Sequence, residues 1–211
     1  PISHNLAIGG TADNGFGSAL LYSGTRGSDW REHSATRIDD VMLKSKYAPN
    51  EVHTFNSLLQ YYDGEADMPG GLSRADYNAD RWQSTRPYDR FWGRRQLASL
   101  GYQYQQDAQH KFNIQGFYTH TLRSGYLEQG KRITLSPREY WVRGIEPRYS
   151  QSFMIGPSAH EVGVGYRYVN ESTHEMRYYT ATTSGELPST ASPYDRDTRS
   201  GTEAHAWYID D

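Results

Sequence analysis

The chain has 211 residues with 36% hydrophobic content, a mean hydropathy of −0.87, a formal net charge of −3 and no cysteine. No run approaches the ~18 apolar residues of a membrane helix, no basic excess is present to recruit nucleic acid, and disulfide and thiolate chemistry are excluded. A β-barrel wall remains open, because only alternate residues of each strand need be apolar; a tyrosine-rich soluble β-protein remains equally open on composition alone.

In chain order, parity and turn signals predict about nine strands. The first spans 3–11, with Leu6 and Ile8 on one face. Thr11-Ala12-Asp13-Asn14-Gly15 closes it, since Asn-Gly supplies the positive φ of a hairpin. Strand 16–26 leads into a polar connection holding Trp30, Arg31 and Glu32. Strand 36–47 places Val41, Leu43 and Tyr47 opposite Asp40, Lys44 and Lys46, and Ala48-Pro49-Asn50 turns the chain. Strand 51–62 carries Phe55, Leu59 and Tyr61 on one face and Thr54, Asn56 and Gln60 on the other.

A long aperiodic excursion covers 63–93. Strand 94–105 sets Ala98, Leu100, Tyr102 and Tyr104 against Ser99, Gly101 and Gln103, and 106–109 is a short turn. Strand 110–123 sets Phe112, Ile114 and Tyr118 against Lys111, Asn113, Gln115, Thr119, Thr121 and Arg123. A loop is predicted over 124–137, then strand 138–154 and a turn at Gly156-Pro157-Ser158. Strand 159–180 is the longest; within it Val162, Val164, Tyr166 and Tyr168 share one parity, and Gly163, Gly165 and Arg167 the other. Loop 181–199 precedes a last strand, 200–211.

Connections thus alternate short and long, which in an up-and-down membrane barrel puts short turns at the periplasmic rim and long loops outside the cell. The fold class expected is all-β, an antiparallel transmembrane barrel. Nine strands is odd, whereas single-chain bacterial barrels close on an even number, and open edges in hydrocarbon are costly. The chain therefore reads as part of a larger barrel. Pro1-Ile2-Ser3-His4 has no start methionine, basic segment or apolar segment of a signal peptide.

Catalytic motifs are missing. His160-Glu161 and His174-Glu175 lack the second histidine of a zinc helix motif, and no glycine-rich phosphate loop or G-x-S-x-G elbow occurs. Tyr88-Asp89-Arg90-Phe91-Trp92-Gly93-Arg94-Arg95 reads as an interfacial girdle with charges at a strand top. The chain is expected to be no enzyme and to hold neither a metal on its side chains nor a cofactor. Arg123 shares parity with Lys111, Asn113, Gln115 and Thr121, hence faces the lumen near the outer end of its strand. A guanidinium there offers a fixed fork of donors for carboxylates or phosphates.

Three stretches carry a resemblance: Gly9-Gly10-Thr11-Ala12-Asp13-Asn14-Gly15-Phe16-Gly17, Tyr61-Tyr62-Asp63-Gly64-Glu65-Ala66-Asp67-Met68-Pro69-Gly70-Gly71, and Ser192-Pro193-Tyr194-Asp195-Arg196-Asp197. The chain closely resembles, over essentially its whole length, the ferric dicitrate receptors among the TonB-dependent outer-membrane transporters. The resemblance implies residues 1–211 as the first half of a plugged barrel of about 22 strands, without the plug, signalling domain and TonB box. It implies uptake of ferric citrate across the outer membrane of a Gram-negative cell with energy from a TonB–ExbB–ExbD complex. It also implies arginines that bind the iron–citrate anion, matching Arg123, Arg138 and Arg196 here, with His120 and Glu139 as departures beside them. Loops 63–93 and 181–199 become candidate lids. A passive porin-type channel, a receptor for another ferric siderophore and a soluble β-module remain as alternatives.

Overall fold

Strands dictate the architecture because the sequence alternates almost without interruption. In the computed structural model, which describes residues 1–210, ten strands form one antiparallel sheet. They are β1 (Ile2–Thr11), β2 (Phe16–Ser28), β3 (Ala35–Tyr47), β4 (His53–Asp67), β5 (Arg90–Gln105), β6 (His110–Gln129), β7 (Arg132–Leu135), β8 (Arg138–Ile155), β9 (Ser158–Ala181) and β10 (Tyr194–Asp210). One short helix, α1 (Arg74–Ala79), lies in the connection between β4 and β5. Among the described residues no helix is long and apolar enough to cross a membrane. The predicted strands all appear; position 211, the end of the last one, lies outside the described residues.

Consecutive strands pair in continuous register, apart from a bulge between Tyr194 and Arg196 on β10, and paired residues share a face. One row across the sheet runs Leu20, Leu43, Leu59, Ala98 and Tyr118; the row two residues nearer the short turns runs through Ser18, Ser45, Ser57, Leu100, Gly116, Ile145 and Tyr168. These belong to the outer, lipid-facing surface, together with Val164, Tyr166, Trp207 and Ile209. Nearer the short turns Phe16, Tyr47, Phe55 and Tyr102 stand in a line, with the Phe55 and Tyr102 rings 4.9 Å apart, as an interfacial aromatic girdle would. Above the apolar band on β2–β5 comes a ladder of ion pairs: Arg26–Asp39 at 2.8 Å, Arg94–Asp63 at 3.2 Å and Arg90–Glu65 at 3.2 Å. On β8–β10, by contrast, Arg143, Asn170 and Glu203 already occupy the row that holds Leu20, Leu43 and Leu59 earlier. The apolar band drifts toward the short-turn end along the sheet, as it must if strands tilt across a bilayer.

The opposite surface is concave. A hollow of about 630 Å³ is lined by Gly9, Ala19, Lys44, Asn56, Ser99 and Gln115, one from each of six successive strands and all of lumen parity. On β9 the lumen positions Gly163 and Gly165 leave room for neighbours: a Cβ on Gly165 would run into the Tyr208 ring. Tyr208 therefore reaches across β9 and donates to Glu146 Oε1 on β8 at 3.1 Å.

The connections at one end are short: 12–15, 48–52, 106–109 and 156–157. Gly15 sits at φ +81, and its amide donates to the Ala12 carbonyl at 3.1 Å, so the Asn-Gly turn forms as expected. At the other end the loops are smaller than the sequence suggested, because the strands extend into them. β9 has 24 residues and β6 has 20, about twice the 9–11 that a tilted strand needs to span a bilayer.

The main difference concerns 124–137, expected to be a loop. It is a hairpin: β6 continues to Gln129, Gly130 at φ +63 and Lys131 turn the chain, and β7 returns. Ser124-Gly125 and Ser136-Pro137 look like breakers, yet the ladder passes through both. Tyr126 pairs with Leu135 and Arg123 with Arg138 in one frame, and on the other side Leu135 pairs with Tyr178 and Arg138 with Glu175. β7 and β8 are thus one stave, interrupted at Pro137 because proline has no N–H to donate. The Ser136 amide still reaches the Gly125 carbonyl at 3.2 Å, and Met176 N–H reaches the Pro137 carbonyl at 3.0 Å. Ten strands occupy nine staves.

The loops are tied to this tall rim. Ile133, Leu135 and Tyr178 are buried there, as is Pro188 of the 182–193 connection, which Thr180 Oγ1 ties to β9 by donating to the Glu186 carbonyl at 2.7 Å. In the 68–89 connection, the Ser73 hydroxyl and Asp76 cap α1 reciprocally. Arg31 donates to the Gly70 carbonyl at 2.6 Å and to that of Gln83 at 2.9 Å, joining 29–34 to 68–89. Glu128 accepts from the Tyr88 amide at 3.3 Å and anchors that connection to β6.

Leu59, in the middle of the apolar band, tests the facing. Leu59→Arg in the complete barrel is expected to cost about 2–4 kcal/mol. Reversible denaturant unfolding from lipid vesicles measures it; a neutral result would place Leu59 away from lipid.

Candidate functional site

The lumen face near the loop end gathers arginines from four staves. Register sets Arg123, Arg138, Glu175 and Thr198 in one row across β6, β8, β9 and β10. The next row outward holds Arg177 opposite Arg196. All three arginines expected at a ligand site therefore lie on one face within two adjacent rows. Arg196, expected inside loop 181–199, belongs to β10 itself, which begins at Tyr194.

Glu175 links two of them. Its Oε1 accepts from Arg138 Nε at 3.0 Å and Nη2 at 2.8 Å, and from Arg196 Nη1 at 2.9 Å. Arg123 has no carboxylate partner among the described residues; its guanidinium lies 5.4 Å from the Phe91 ring centroid. Arg177 donates from Nε to Asp195 Oδ1 at 2.7 Å, and Arg132 approaches the other oxygen of Asp195 at 3.6 Å. A recess of about 420 Å³ is bounded by Met68, Phe91, Arg123, Gly125, Arg138 and Arg177.

Like charges directly opposite on neighbouring strands destabilise a sheet. Here Arg123 faces Arg138 and Arg177 faces Arg196, against the two carboxylates of Glu175 and Asp195. The surplus of guanidinium makes these rows a place where an added anion gains charge-assisted hydrogen bonds, each contributing about 1.5–3 kcal/mol. Among the described residues no group of three or more His, Asp or Glu side chains is arranged to hold a metal ion. The chemistry offered is recognition of oxyanions.

No sequence signal assigns Glu175, Arg177 or Asp195 to the ligand site. The first two share parity with Arg167 on β9, and this was legible; that they come level with Arg123 and Arg138 depends on the register of three strand pairs. His174, whose His-Glu pair lacks the rest of a zinc motif, contacts Asp197 at 2.9 Å on the outer face. Trp92 packs on Tyr126, with ring centroids 5.1 Å apart, while Arg90 and Arg94 are spent in the outer ion-pair ladder.

At the outermost end of β10, the Arg177 guanidinium holds the Asp195 carboxyl below the usual carboxylate range. A carboxylate so depressed contributes stability above its unfolded pKa and loses it as pH falls through the folded value. Protection of the Tyr179 amide, which donates to the Pro193 carbonyl at 3.0 Å, should persist down to about pH 4 and decline below it. Hydrogen exchange in wild type against Asp195→Asn measures this; an identical acid response in the two would separate the loop from Asp195.

No protein-family model matches the chain. Among solved structures, the unliganded form of the ferric citrate transporter FecA is 90% identical over 98% of this chain, with a TM-score of 0.95. The chain spans 31% of the length of that protein. The ferric preacinetobactin receptor BauA from Acinetobacter baumannii matches with a TM-score of 0.74 at 10% identity, covering 98% of this chain and 36% of that one. The P. aeruginosa receptor FpvA, solved with iron-bound pyoverdine, matches with 0.78 at 9% identity, over 98% and 32% respectively. At such identities the last two show the shared fold alone. At 90% identity over 98% of its length, the chain is similar to a stretch of the β-barrel wall of a TonB-dependent outer-membrane receptor.

Proposed function

We propose that residues 1–211 form part of the barrel domain of a receptor that binds ferric citrate at the cell surface and imports it into the periplasm. The observation that carries this reading is the placement of Arg123, Arg138 and Arg196 in two adjacent lumen rows at the loop end. The similarity to a protein described as a ferric citrate transporter supports it. In citrate complexes the iron already has oxygen donors, so the barrel needs no metal ligand of its own. It must recognise a shell of carboxylates, which planar guanidinium forks match bidentately. Iron here is cargo and the protein neither catalyses a reaction nor needs a resident cofactor.

Import requires parts beyond this wall. A plug filling the lumen, a TonB box and the TonB–ExbB–ExbD complex supply and receive the energy, and a signalling domain precedes the plug. Loops 68–89 and 182–193, at the same end of the sheet as the arginine rows, are the segments that would close over a bound anion. Their present ties, Arg31 to the Gly70 carbonyl and Glu128 to the Tyr88 amide, are the bonds such a closure would strain or exchange.

Binding of ferric citrate to the detergent-solubilised full-length receptor tests the reading. Arg123→Ala and Arg138→Ala should each weaken it by about ten- to hundredfold, the loss of one charge-assisted bond. Heat-modifiable migration on gels should stay unchanged. Undiminished affinity in both variants would remove the assignment and favour a channel without a binding site.

A further inference from the structure

The carboxylate of Glu175 sits where a ligand carboxylate would be received. Three donors from two arginines converge on its Oε1, at 2.8, 3.0 and 2.9 Å. Its side chain is 20% exposed, so it is accessible from the lumen yet partly shielded. Its row neighbour on β10 is Thr198, which offers no charge to compete for it. Arg123, on the far side of Arg138, keeps its fork free of carboxylates among the described residues.

We propose that Glu175 is an internal stand-in for a ligand carboxylate, which an incoming anion must displace from Arg138 and Arg196. This rests on the arginine rows being the citrate site. The physical consequence is a threshold. An anion that first meets Arg123 and then offers several rigidly held carboxylates can replace all the bonds Glu175 gives up. A flexible, iron-free citrate must first order its own carboxylates, and so replaces them less well. The cost of displacing Glu175 belongs to the protein and is the same for every anion that displaces it; an anion whose own bonds do not exceed that cost is left with Arg123 alone. The carboxylate also offsets the like charges of Arg138 and Arg196, which reach it from β8 and β10.

The test is Glu175→Gln, which keeps shape and removes charge, in the full-length receptor in detergent, titrated with ferric citrate and separately with iron-free citrate. Ferric citrate affinity should rise by about tenfold, equivalent to one charge-assisted bond no longer broken. Iron-free citrate should gain by no larger a factor, because the displacement cost does not depend on the ligand. An unchanged or weakened ferric citrate affinity, or a larger gain for iron-free citrate, would overturn the proposal; a purely structural role for Glu175 predicts weakening of both. Heat-modifiable migration reports that the barrel is intact. Wild type and Arg123→Ala are titrated in parallel. If wild type does not bind ferric citrate, the site reading and this proposal fall together. If wild type binds, Arg123→Ala does not, and Glu175→Gln brings no gain, the Glu175 proposal alone falls.

Discussion

Hydrocarbon supplies no hydrogen-bond partners, so a chain that crosses it by strands must satisfy each backbone N–H and C=O from the strand alongside. That demand fixes the register of this sheet from β1 to β10 and leaves little freedom elsewhere. Once register is fixed, each residue has a row as well as a face. The outer surface becomes a tilted apolar band with aromatics below it and ion pairs above; the inner surface becomes a set of polar rows. The interrupted stave of β7 and β8 shows how strong the demand is. Proline at 137 removes one donor, and the ladder resumes beyond it without slipping a residue. A slip of one would have turned Ile133 and Leu135 inward and sent the polar set outward.

The arginine rows depend on the same constraint. Each strand contributes one or two cations, and none of them would hold a multiply charged anion alone. Antiparallel pairing brings Arg123 against Arg138 and Arg177 against Arg196. Such opposition costs energy, and Glu175 and Asp195 offset part of it while fixing the guanidinium orientations. The remaining positive surplus is what an oxyanion would neutralise. Stability and recognition therefore pull on the same groups: the carboxylates that make the sheet tolerable are also the ones a ligand must contend with.

The height of the rim matters as much as its charge. β6 and β9 rise well past the bilayer, and the loops are fastened to that rise by Glu128 and Thr180. The arginines border a recess walled by Met68 of the 68–89 connection as well as by the staves. A site partly screened from water keeps charge-assisted bonds strong.

The sequence by itself determined the strands, the face of each residue and the short turns, because alternation of period two and turn chemistry at Asn14-Gly15 are local properties. Lumen parity for Arg123 followed from Lys111, Asn113 and Gln115 on the same strand. It missed the 124–137 hairpin, since Gly125 and Pro137 look locally like breaks and only pairing on both sides carries the ladder through them. It placed Arg196 in a loop for the same reason. The meeting of Arg123, Arg138, Glu175 and Arg196 was decided by tertiary structure alone. Those residues are separated by up to 73 positions along the chain, and what brings them level is the register of three strand pairs, a quantity that no local pattern contains.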